Sequence, residues 1–177
     1  MWKIYVLVAI DHFSRKIIAA TPLEGPNAGM VIDALEATFV NFGKPKHLIS
    51  DQGSVFTSAA FRELLNSNDV KIRYGAVGEH GSIAVTERVI ETLIYEWLKK
   101  APIIRGYRHL TQLCGDFSEW YNNWRPHEFL GSATPALAFQ NKAVPLVPKI
   151  AKDVPSNLET KKFKETKVVG YRIKKVA

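Results

Sequence analysis

The sequence predicts an α/β fold in which helices cover a mixed sheet. Two observations carry that reading. Short β-branched runs alternate with longer stretches of helical periodicity, and turn residues punctuate almost every change from one to the other. The resulting order is hairpin, helix, strand, helix, strand, long helix.

The elements follow in chain order. Residues 4–10, Ile-Tyr-Val-Leu-Val-Ala-Ile, and 16–20, Lys-Ile-Ile-Ala-Ala, are two β-rich runs flanking the polar Asp11-His12-Phe13-Ser14-Arg15, which predicts a hairpin. Asn27 is a suitable cap for a helix over about 28–41, with Met30, Leu35, Phe39 and Val40 among its apolar positions, and Gly43 and Pro45 end it. His47-Leu48-Ile49 reads as a short buried strand ending at Ser50-Asp51. Ser58 caps a helix to about Asn66, and Val70 to Tyr74 alternates as a strand. Gly75, Gly78 and Gly81 mark a loop, Ser82 opens a long helix to about Lys100, and another helix runs from about Leu110 to Trp124. The remainder is Pro-punctuated and basic, with Lys167–Ile173 a possible strand.

Bulk properties narrow the classes. No apolar run approaches the ~18 residues of a membrane span, and the first residues lack the pattern of a signal peptide. Cys114 is alone, so an internal disulfide and a cysteine-rich metal site are excluded; it reads as a small core residue. There is no GxGxxG and no GxxxxGK[ST], so nucleotide-cradling folds receive little support. The net charge of +7 is uneven. Residues 140–177 hold ten Lys/Arg and three Asp/Glu, whereas residues 1–139 hold fourteen of each. A neutral body with a basic tail points to a polyanionic partner, or to a solvated tail that keeps the protein soluble.

Two carboxylates stand out. At 100° per residue, Ile83, Ile90, Leu93, Ile94, Trp97 and Leu98 form one stripe of the long helix, and Glu87 falls inside it, about 20° from Ile94. A carboxylate there is expected to face the protein body and to need a cation or a wet cleft; the plainer alternative is a Glu favoured by the helix N-terminus. Asp51 follows a short apolar strand and precedes the turn pair Gln52-Gly53, a place where functional groups gather in α/β sheets; an ordinary turn Asp is the alternative. Two such carboxylates suit a hard ion, Mg²⁺ or Mn²⁺.

Asp51 and Glu87 have 35 residues between them, the spacing of the last two acids of the DDE recombinases. Four segments resemble that family in order: Asp11-His12-Phe13-Ser14-Arg15; Ile49-Ser50-Asp51-Gln52-Gly53-Ser54-Val55-Phe56; Gly81-Ser82-Ile83-Ala84-Val85-Thr86-Glu87-Arg88; and Tyr121-Asn122-Asn123-Trp124-Arg125-Pro126-His127 with Leu130-Gly131 and Thr134-Pro135. The chain thus resembles the retroviral integrase-like catalytic core of bacterial insertion-sequence transposases. The resemblance implies a ribonuclease H-like mixed sheet flanked by helices, and phosphodiester hydrolysis and strand transfer with two divalent ions. Asp51 and Glu87 are then the catalytic and metal-binding residues. DNA is the partner, the working form is a homo-oligomer on DNA, and the location is the bacterial cytoplasm at the nucleoid, with no membrane.

The family's first carboxylate sits on an opening strand that precedes the D-x-F-S-R hairpin, whereas this sequence begins inside that hairpin's first strand. The expectation is an N-terminally truncated core over residues 1–139, inactive or nearly so alone, with a basic C-terminal tail over 140–177. A noncatalytic DNA-binding or assembly remnant is the alternative, and a nuclease acting on RNA–DNA hybrids a more distant one. Asp11 reads as a turn residue pairing with Ser14 or Arg15 rather than as a substitute ligand. Lys161, Lys162, Lys164, Arg172, Lys174 and Lys175 are the expected DNA-binding residues. His127 is expected to order a bend, His80 lies in the loop before Glu87, and Trp97, Trp120 and Trp124 read as core.

Overall fold

The computed structural model describes residues 3–25, 27–75, 82–101, 103–140 and 158–173. It divides into two compact units, Met1–Ala9 with Ile18–Ile90, and Ile10–Ile17 with Glu91–Ala177.

The first unit is built on the predicted α/β order. Strands β1 (Tyr5–Ile10) and β2 (Ile17–Leu23) pair as a hairpin. Helix α1 (Ala28–Phe42) starts where Asn27 Oδ1 accepts the Gly29 N–H at 2.7 Å and stops at Gly43, whose φ of 86° is left-handed and whose N–H returns to the Phe39 carbonyl. Its buried row is Val31, Leu35 and Phe39, spaced by four. Val40, expected among the apolar positions of that helix, is 85% exposed, because it lies a further 100° round the helix from Phe39. Strand β3 (His47–Ser50) and strand β4 (Lys71–Tyr74) are parallel, with His47 opposite Lys71 and Ser50 opposite Tyr74. Between them helix α2 (Ala59–Ser67) is capped by Ser58, whose Oγ accepts from Phe61 N–H, and buries Phe61, Leu64 and Leu65. One apolar cluster joins Leu7 and Leu23 of the hairpin with Val31, Leu35, Phe39, Phe61, Leu64, Leu65 and Val70; Leu48 and Ile72 pack against it.

Two expectations are corrected here. Strand β3 is not buried: His47 and Ile49 face solvent and only Leu48 turns to the core, since a sheet covered on one face buries alternate residues. Nor is there one mixed sheet. Among the described residues the β1–β2 and β3–β4 ladders are separate two-stranded sheets, because no backbone hydrogen bonds link the two pairs; they share a core but not a ladder.

The long helix also departs from regularity. Helix α3 (Ser82–Glu91) continues as a π-helical segment, Thr92–Trp97, and a 3₁₀ turn, Leu98–Lys100. Adding residues per turn rotates everything downstream. The buried positions are Val89, Thr92, Leu93 and Trp97, while Ile90, which precedes the π segment, and Ile94 within it are 38% and 39% exposed.

The second unit is organised by aromatic packing. Trp97 is fully buried, its indole N–H donates to the Leu113 carbonyl at 2.8 Å, and its ring centroid lies 5.3 Å from that of Trp120, 5.9 Å from Phe117 and 5.1 Å from Phe163. Helix α4 (Gly106–Asn123) contributes Leu110, Leu113, Cys114, Phe117, Trp120 and Tyr121 to this core. Burial pushes the Cys114 thiol up to about 12, so it is protonated and inert at neutral pH. A 3₁₀ turn (Glu128–Leu130) and helix α5 (Pro135–Phe139) follow. Strand β6 (Val169–Ile173) falls inside the expected 167–173 segment and pairs antiparallel with β5 (Leu158–Lys162), a strand its polar sequence Leu-Glu-Thr-Lys-Lys did not disclose.

A candidate active site and its supporting motifs

Asp51 leaves the end of β3 and forms a turn with its own side chain: Oδ1 accepts the Gly53 N–H at 2.9 Å, and Phe56 and Thr57 N–H groups then close on the Gly53 carbonyl. The Tyr74 hydroxyl donates to the Phe56 carbonyl at 3.1 Å, tying that loop to β4. The carboxylate stays exposed, and its second oxygen has no hydrogen-bond partner among the described residues.

Glu87 is exposed on α3 and has no hydrogen bond or ion pair among the described residues. The expected inward-facing stripe is corrected: the buried face runs through Val89 and Leu93, and Glu87 keeps company with the half-open Ile90. What connects the two acids is a short series of contacts within the first unit. Ser50, next to Asp51, accepts the Gly75 N–H at 3.0 Å, and Gly75 abuts Ile83 so closely that a Cβ at position 75 would lie 2.1 Å from Ile83 Cδ1. Ile83 is one helical turn, about 6 Å, before Glu87. A glycine at 75 thus lets the first turn of α3 approach the strand end that carries Asp51. In the sequence Gly75 is only loop punctuation; its close approach to Ile83 is a property of the fold.

Among the described residues no group of three or more His, Cys, Asp or Glu is placed to hold a metal. Two accessible carboxylates nevertheless match the donor chemistry of a hard divalent ion, since Mg²⁺ is commonly held by one or two carboxylates with water and substrate phosphate completing its shell. Asp11 is otherwise engaged. Its Oδ2 accepts both the Ser14 N–H at 2.7 Å and the Ser14 hydroxyl at 2.6 Å, in a turn where Ser14 is fully buried and Arg15 has a φ of 62°.

That turn meets the segment from 121 onward in the second unit. Asn122 is buried, accepts the Ile17 N–H at 2.8 Å through Oδ1 and donates to the Ile17 carbonyl at 2.9 Å through Nδ2, so one amide imitates a neighbouring strand. Arg15 sits over the Phe129 ring at 4.2 Å. The Arg125 guanidinium holds both oxygens of Glu96 at 3.1 Å, a paired fork geometry. His127 packs on the Tyr121 ring at 4.6 Å; its N–H donates to Ala133, and its carbonyl accepts from Leu130 and Ser132. Burial, reinforced by Arg125, lowers the His127 pKa to about 4, so the ring is neutral at pH 7. It orders a bend, as expected. Asn122 was missed as a key residue, although it stands inside the quoted Tyr-Asn motif.

The expected DNA-binding residues separate by environment. Lys161 pairs with Glu119, and Arg172 donates to Glu159 at 2.6 Å while lying over Trp124 at 4.4 Å. Lys162 and Lys164 are exposed. Lys174 and Lys175, like the 76–81 loop with His80, lie outside the described residues.

Comparison with known proteins gives the class. The integrase core domain family matches residues 1–80, and a second family of the same description matches residues 68–135. Taken together the two matches run from residue 1 to residue 135 and make the chain similar to the integrase core of DDE-type recombinases. It is 25% identical over 138 residues to a putative transposase for insertion sequence IS986/IS6110 from Mycobacterium tuberculosis, covering 74% of this chain and 50% of that one. It is 31% identical over 133 residues to an uncharacterised Caenorhabditis elegans protein, K02A2.6, covering 75% of this chain and 10% of that one. The chain therefore spans between a tenth and a half of these relatives. Its fold is that of integrase catalytic cores, which are ribonuclease H-like. The HTLV-2 integrase catalytic core, in a dimeric form in complex with magnesium, aligns with a TM-score of 0.60 at 20% identity, over 78% of this chain and 86% of that one. Among the described residues no helix is long and apolar enough to cross a membrane.

Proposed function

We propose that this protein serves DNA transposition or integration through metal-dependent phosphodiester hydrolysis and strand transfer, with Asp51 and Glu87 as its metal-binding carboxylates. The observation that carries the reading is the pair itself: two accessible acids at the family's spacing, tied to one strand end through Ser50, Gly75 and Ile83. Mg²⁺ or Mn²⁺, when bound, supplies charge compensation at the scissile phosphate and activates the attacking oxygen. The protein's part is to hold carboxylate oxygens toward solvent at a fixed turn and a fixed helix, leaving space for a phosphate. Asp11 is assigned to the hairpin turn and not to the ion, its Oδ2 accepting both the Ser14 N–H and the Ser14 hydroxyl. A two-ion route calls for a further bridging acid, so this chain is expected to be nearly inactive in strand transfer by itself. DNA is the substrate, a homo-oligomer on DNA the working form, and the bacterial cytoplasm at the nucleoid the location.

The experiment compares Mn²⁺-dependent DNA nicking and Mn²⁺ binding by this chain and by a version extended at its N-terminus with a strand bearing an Asp. In the extended version Asp51→Asn and Glu87→Gln should each lower nicking by ~10²–10³ or more, with Mn²⁺ binding weakened in parallel, while Asp11→Asn leaves both intact. Full activity of the unextended chain that Asp11→Asn abolishes would instead make Asp11 the third ligand.

A further inference from the structure

The β5–β6 hairpin has two chemically opposite faces. Residues paired across antiparallel strands share a face. Lys161 opposite Gly170 and Glu159 opposite Arg172 form the inner one. There Gly170 meets Trp124 so tightly that a Cβ would lie 2.6 Å from Trp124 Cβ; Lys161 is bound to Glu119, and Arg172 is held by Glu159 and Trp124. In the connecting turn Phe163 is buried against Trp97, and Glu165 pairs with Arg105 and His109 at 3.3 Å. Both acids of the hairpin, Glu159 and Glu165, and the Phe163 ring are thus engaged on this side.

The outer face carries Thr160 opposite Tyr171 and Lys162 opposite Val169. Tyr171 is 53% exposed, and Lys162, Lys164 and Lys167 are all exposed, with no ion pair among the described residues. Lys167 adopts a φ of 58°, a conformation that Asn or Gly takes at less cost, yet a lysine occupies it. The outer face therefore carries Lys162 and the protruding Tyr171 ring, and the connecting turn adds the exposed Lys164 and Lys167.

Resting on the DNA reading above, we propose that this outer face is the DNA-contacting surface of the hairpin, with Lys162, Lys164 and Lys167 on backbone phosphates and Tyr171 stacking on an unpaired base at a frayed or cut DNA end. Lys161 and Arg172, by contrast, hold the hairpin to the body. Lysine–phosphate contacts give affinity that falls with salt and carry no sequence information. Stacking accepts any base but needs one out of the duplex.

The test uses the full chain and fluorescence anisotropy with two labelled oligonucleotides, a blunt duplex and the same duplex with one forked, unpaired end, across a NaCl series. Lys162→Ala/Lys164→Ala/Lys167→Ala should reduce the slope of log affinity against log salt by about 0.9 for each lysine that meets a phosphate, without a change in Tm. Tyr171→Ala should weaken forked DNA about tenfold and leave the blunt duplex unchanged; Tyr171→Phe should restore it. Lys161→Ala and Arg172→Ala should lower Tm and keep most of the slope. A folded triple variant with the wild-type slope overturns the phosphate assignment, and equal losses on both DNAs for Tyr171→Ala overturn the stacking. Absence of any salt-dependent DNA affinity in the wild type would overturn the DNA reading itself.

Discussion

The two units treat their polar residues in opposite ways. In the second, the quoted motifs are locked: the Asn122 amide satisfies both backbone groups of Ile17, Ser14 is buried against Asp11, and Arg125 grips Glu96 with two bonds. In the first, the two acids assigned to chemistry stay open, Asp51 held only by its own turn and Glu87 on the exposed side of α3. Motif residues therefore divide into those that build the frame and those the frame presents. A buried polar group must be satisfied or it costs stability. A catalytic carboxylate must remain unsatisfied by the protein so that ion and substrate can satisfy it.

The largest test of that contrast is Trp97→Ala. It removes the centre of the aromatic core together with the hydrogen bond to Leu113, and should cost ~3–5 kcal/mol in chemical denaturation. A loss under ~1 kcal/mol would show that the aromatic packing is not what holds the second unit. Asn122→Leu comes next. Leaving the Ile17 N–H and carbonyl unpaired in the interior should cost ~2–6 kcal/mol, at ~1–3 per orphaned group. If the variant is as stable as wild type, the two motif segments are not coupled through that amide.

A smaller, pH-dependent effect comes from His127. Its pKa falls from the ordinary 6.5 to about 4 in the folded protein. The unfolded chain then binds the proton first as pH drops, so stability is steady above about pH 6.5 and declines between 6.5 and about 4. The decline should be on the order of 2–3 kcal/mol. Denaturation midpoints from pH 7 to 4 should flatten in His127→Gln; identical slopes in the two proteins would remove the assignment.

The smallest stability effects should be at the acids. Asp51→Asn and Glu87→Gln ought to stay within ~0.5 kcal/mol of wild type, as exposed substitutions do, while losing metal-dependent nicking in an active extended form. A marked destabilisation from Glu87→Gln would place that carboxylate with the frame instead.

Much of this was legible in the sequence because local rules suffice for it. Asn27 and Ser58 announce their helices by capping, the 5–10 and 17–23 strands by composition around a polar turn, and Trp97, Trp120 and Trp124 by their size and apolar setting. The spacing of Asp51 and Glu87 and the four ordered segments fixed the class without coordinates. Only tertiary structure decided the rest. Helical phase gives the angles between residues but not which arc meets the core. The buried face runs through Val89, Leu93 and Trp97, to one side of the expected stripe, and leaves Glu87 and Ile90 exposed already in the regular helix that precedes the π segment at Thr92–Trp97. Strand β5 escaped notice because its stability comes from pairing with β6 and from Glu119, distant partners that no window of five residues contains. Charge counting gave the tail one sign but could not say which lysines face inward. That depends on which edge of a hairpin meets Trp124, and a two-residue period becomes an inside and an outside only once something is packed against it.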